Sequence, residues 1–148
     1  MVEITELLAD YIEGDADLGA CVALMISERS ASAAVRDAFE KTLSALGLGE
    51  DSGSYVTVFP KSLQVEGGDI PLDAQMLFLL VEGLDPLCIV ATDRCSSQLL
   101  AEAYRSPVFP DASARVFGRP AAVFDDLDAL LQTPAGKQKA WSLFKTLV

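Results

Sequence analysis

The chain has 148 residues, 51% of them hydrophobic, and a formal charge of 11 − 22 = −11. That is enough for one domain, residues 1–148, with a full core, and it excludes general disorder. No apolar run approaches the ~18 residues of a membrane span, and the scattered cations form no basic stripe, so neither a membrane nor nucleic acid is an expected partner.

The segment Met1-Val2-Glu3-Ile4-Thr5-Glu6 lacks the basic start of a signal peptide, so a cytoplasmic location is expected. Residues 4–12 read as a short helix with Leu7, Leu8, Tyr11 and Ile12 on one side. Residues 21–26 form an unbroken apolar run, the pattern of a strand buried on both faces. Ser30 or Ser32 caps the next helix, where Val35, Phe39, Leu43 and Leu46 share one side and Gly47 or Gly49 ends it. Residues 55–59 are a second strand, rich in β-branched and aromatic side chains and closed by Pro60. A long loop over 61–69 follows.

Asp73 caps a nearly all-apolar helix over 74–84, which Asp85-Pro86 ends before a third strand at 87–91. A helix over 96–104 leads through a proline-bounded loop to a fourth strand at 115–117, resuming at 121–124. Residues 126–131 form a short helix, and Thr133 caps a last helix with Pro134 in its first turn. On that helix Lys137, Lys139 and Lys145 are polar-side, and Trp141 and Phe144 apolar-side. Tyr55, Phe59, Phe109, Phe117 and Phe124 are expected in the core. Strands alternating with helices imply an α/β fold: a three-layer α/β/α sandwich around a mostly parallel, four-stranded sheet.

In such folds the residues just after each strand carry the chemistry. Here they are Ser27-Glu28-Arg29-Ser30, Pro60-Lys61-Ser62, Thr92-Asp93-Arg94 and Asp125-Asp126-Leu127-Asp128. The chain has no histidine, so neither a serine nor a cysteine nucleophile has its usual base. Cys21 and Cys88 sit in apolar runs as small hydrophobes. Cys95 opens a helix, where the dipole lowers a thiol pKa. Glu28, Asp93, Asp125, Asp126 and Asp128 could meet at the strand ends around Mg²⁺, but helix capping explains the last three without a metal.

Four stretches resemble the uracil-DNA glycosylase superfamily, most closely its small iron–sulfur bacterial type. They are residues 39–48 with 55–58, residues 84–91, residues 96–100, and Leu130-Leu131-Gln132-Thr133-Pro134 followed by Lys137 and Trp141. The resemblance implies that family's α/β/α fold. Its working residues do not carry over. Ser27-Glu28-Arg29-Ser30 stands in place of the family's glycine-rich loop, and only Glu28 matches by type. Val58 replaces the asparagine that reads uracil, Ser62 a cluster cysteine, and Asp126 the histidine that stabilises the leaving base. The resemblance therefore implies a glycosylase-like domain without catalytic residues, iron–sulfur cluster, other cofactor or metal. A protein-binding or accessory role follows, linked to DNA replication or repair, as in the non-catalytic psi subunit of bacterial DNA polymerase III, which reuses the fold. The alternative is a divergent enzyme or a nucleobase- or nucleotide-binding domain at the strand ends, with Glu28, Lys61, Asp93 and Asp126 as its candidate residues.

Overall fold

Apolar strand runs separated by amphipathic helices can bury themselves only by stacking helices on both faces of a sheet, and the chain does so. A computed structural model describes residues 9–13, 22–49, 53–60, 64–65, 68–69, 71–109 and 111–147. The strands are β1 (Ile12–Glu13), β2 (Ala23–Ser27), β3 (Gly53–Thr57), β4 (Gln64–Val65), β5 (Gly68–Asp69), β6 (Cys88–Ala91), β7 (Ala112–Val116) and β8 (Arg119–Val123). The helices are α1 (Ala33–Ala45), α2 (Ala74–Leu84), α3 (Arg94–Tyr104), α4 (Leu127–Leu130) and α5 (Pro134–Phe144).

The main sheet runs β1-β3-β2-β6-β8-β7. β3, β2, β6 and β8 are parallel, while β1 and β7 lie antiparallel at the two edges. β4 and β5 form a separate two-stranded ladder within the segment read as a loop.

Every residue of β2 and β6 is buried, as their unbroken apolar runs require. Strand alternation sends Leu24, Ile26, Ile89, Ala91, Ala121 and Val123 to the face covered by α2 and α3. Ala23, Met25, Cys88, Val90 and Ala122 turn to the opposite face, against Val35, Phe39 and Leu43 of α1 and Ala140 and Phe144 of α5. Burying each such large side chain stabilises the fold by ~1.5–3 kcal/mol.

The architecture is the expected three-layer sandwich, with two more strands in its main sheet. The fourth parallel strand is β8, which overlaps the expected resumption at 121–124, whereas residues 115–117 end β7 and enter a hairpin turn. Phe117 and Gly118 form that turn with φ of 51° and 83°, the two positive values a tight right-twisting hairpin needs. Ile12, read as the end of a helix, pairs with Val56 instead, and among the described residues before it Ala9–Tyr11 form a 3-10 turn. The rest of that expected helix, residues 4–8, lies outside the described residues. Phe124 is buried as expected, but Phe109 and Phe117 are 69% and 64% exposed.

Candidate functional site

β2 is followed by α1 on one face, and β6 by α3 on the other. The chain thus reverses its direction across the sheet between these neighbouring strands. Their outgoing loops diverge, which opens a crevice at the carboxyl ends. The loop after β8 forms the crevice's third side. The resulting open groove has a volume of about 420 Å³ and brings together Glu28, Asp93 and Asp126, with Asp125 and Asp128 beside them. Three of the four expected site residues therefore meet. Lys61 lies outside the described residues, as does Ser62.

The four aspartates of the groove are engaged in holding its own walls. The Asp93 carboxylate accepts the Ser96 N–H at 2.8 Å, capping α3, and accepts the Glu28 N–H at 2.8 Å from the neighbouring loop. Ser96 closes a reciprocal capping box on Asp93. The backbones of Asp93 and Asp126 form an isolated antiparallel bridge, which joins the β6 and β8 loops. Asp126 caps α4 through the Ala129 N–H at 3.1 Å. Asp125 receives the Arg94 Nε at 2.9 Å. Asp128 accepts the Ser32 hydroxyl at 2.8 Å, while Ser32 caps α1 by accepting the Val35 N–H at 3.2 Å. Beneath them the buried Thr92 hydroxyl donates to Ser27 Oγ at 2.8 Å.

The two arginines that line the rim each have a partner within the protein. Arg94 is held by Asp125, and the Arg29 guanidinium lies 5.1 Å over the Phe59 ring. Among the described residues, no three His, Cys, Asp or Glu side chains are grouped to hold a metal ion.

Cys95 departs from the dipole argument. Burial pushes its thiol up to about 11, Glu28 and Asp93 push in the same direction, and Arg29 opposes them. Desolvation and two carboxylates outweigh the helix start, because each disfavours the thiolate. Cys88 is buried as its apolar run suggested, and Cys21 lies outside the described residues.

A second groove, of about 430 Å³, separates α1 from α5 on the opposite side of the molecule's secondary-structure layers from α2 and α3. Each helix has an apolar side legible from its residue spacing, but that spacing carries no sign that the two sides fail to close on each other. Trp141, expected on the apolar side, stands at this groove and is 38% exposed. No helix among the described residues is long and apolar enough to cross a membrane. No protein-family model matches this chain, and no curated protein matches it.

Proposed function

We propose that this chain is a non-catalytic α/β/α domain of uracil-DNA glycosylase-like descent that acts by binding a protein partner, as an accessory subunit. One observation carries the reading: the side chains of Asp93, Asp125, Asp126 and Asp128 at the strand ends are occupied as structural fasteners, and Glu28 contributes its backbone N–H to the same network. Asp93 bonds two backbone amides, Asp126 and Ser32 cap helices, and Asp125 and Asp128 are tied to Arg94 and Ser32. A general base or nucleophile must be presented to substrate within hydrogen-bond reach, and these groups are turned into the walls. The Cys95 thiol is protonated at neutral pH. Carboxylates also crowd the place where a leaving uracil anion would need a positive or hydrogen-bond-donating group. The three-layer sandwich supports the glycosylase-like part of the reading at the level of fold class.

The test is uracil release from uracil-containing single-stranded DNA by the purified chain, beside an active glycosylase. No release above the no-enzyme background is expected. Robust release that survives Glu28→Gln and Asp126→Asn would overturn the proposal.

The size of the strand-end groove favours a second reading, a small-ligand site. Its acidic lining fits a neutral nucleobase with N–H donors better than a phosphate-bearing nucleotide. A melting shift with free nucleobases, absent with nucleotides and abolished by Asp126→Ala, would replace the first reading with this one.

A further inference from the structure

The groove between α1 and α5 is built differently from the strand-end groove. Ala34 and Ala38 of α1 and Ala140 and Phe144 of α5 line it, with Trp141 beside them. Ala34 and Ala38, one turn apart on α1, and Ala140 opposite them on α5 leave a trough that another helix backbone can approach closely. Lys41 and Lys137 line the trough, one on each helix, and the Lys145 ammonium lies 5.7 Å from the Trp141 ring centroid. One carboxylate faces the lysines here: Asp37, which pairs with Lys41 at 2.9 Å. Glu40 receives the Tyr55 hydroxyl at 3.3 Å, and Lys139 reaches Asp111 at 3.7 Å. In a chain of net charge −11, four of the five lysines lie on α1, on α5 or in the turn after it. The five groove-lining carboxylates described above are at the strand ends instead.

From this we infer that the α1–α5 trough receives an amphipathic helix of a partner protein, its apolar stripe against these alanines and its acidic flank against Lys41 and Lys137. The inference rests on the binding-domain reading and names that domain's docking surface. Charge complementarity selects the partner: a basic helix would meet lysines on both sides, and a neutral one would leave Lys137 without the counter-charge that Asp37 gives Lys41. Helix-in-groove docking uses such an apolar trough with charged rims.

Trp141 is the chain's only tryptophan, so its emission reports on this trough alone. The probe is a synthetic Leu/Glu amphipathic peptide of about 15 residues, long enough to form a helix. Its controls are the same peptide with Lys for Glu, and a scramble that destroys the apolar stripe. Saturable movement of Trp141 emission to shorter wavelength is expected with the Leu/Glu peptide only. The double substitution Lys41→Glu with Lys137→Glu, at exposed positions, should weaken binding about tenfold or more while lowering the melting temperature only slightly, through loss of the exposed Lys41–Asp37 pair. An unmoved Trp141, equal binding of the Lys peptide, or full affinity in the double variant would each overturn the inference. So would tighter binding of single-stranded DNA at Trp141. Uracil release decides the broader reading separately. An unmoved Trp141 without release removes the trough and leaves the binding domain, whereas release with a shifted Trp141 does the reverse.

Discussion

Asp93 does the most for the strand ends, because its two carboxylate oxygens satisfy amides from two different loops. Asp93→Ala removes a helix cap and leaves the Glu28 N–H without its partner. Each loss is worth about 1 kcal/mol, so stability should fall by about 2 kcal/mol. Urea unfolding should show this as a lower midpoint at unchanged slope. Asp93→Asn should recover most of the capping part, since asparagine caps as well as aspartate. Cys95 offers a second residue-level test. The thiolate is the reactive form, so a pKa raised to about 11 makes the folded thiol slow towards iodoacetamide at pH 7, with a rate that climbs as pH approaches 11. The sign for stability follows from the same shift. The ordinary value is 9.0, so the unfolded chain loses this proton first, and folding weakens as pH rises from 9.0 towards about 11. Cys95→Ser should remove that part of the alkaline decline in melting temperature. The capping role of Asp73 was legible in the sequence, because a cap is a local pattern. The second bond of Asp93 was not, since Glu28 is 65 residues away.

Among the elements, the junction of α4 and α5 is the least tolerant of change. Gly136 sits in the first turn of α5, and its N–H donates to Thr133 Oγ1 at 3.0 Å. A Cβ placed there would stand 1.8 Å from the Leu130 carbonyl oxygen, which is backbone and cannot swing aside. Gly136→Ala should therefore destabilise by about 3 kcal/mol despite its better helix propensity, and calorimetry should show a clear drop in melting temperature. Thr133 and Pro134 announced the helix start, and the structure begins α5 at Pro134. The need for glycine two residues later comes from α4 and has no trace in the local pattern. Strand reading shows the same division. β2 and β6 were legible because burial on both faces leaves an unbroken apolar run. β7 was read only at its end, residues 115–116, because its exposed Ser113 and Arg115 alternate with smaller half-buried residues, as an edge strand permits.

At the scale of the whole molecule, charge governs what can approach. At about 10 mM ionic strength the Debye length is near 30 Å, so a body of net charge −11 should repel a phosphate backbone over most of its surface. No retardation of single-stranded DNA in a native gel is expected under those conditions. Binding that weakens steeply with added salt would contradict this. The strand-end crevice was legible in outline, since the turns that form it follow from the order of elements. Its occupation by the protein's own bonds was not, because those bonds join loops distant in sequence. The face of the sheet covered by α5 has a further consequence, in the order of events during synthesis. Met25, Val90 and Ala122 pack in one cluster with Ala140 and Phe144. The latch from Ser32 to Asp128 spans 96 residues. A growing chain must therefore keep the part of this apolar face that α1 does not cover open until residues 134–144 emerge. During that interval the face is open to non-native contacts, and ribosome-bound chaperones would have the most to shield.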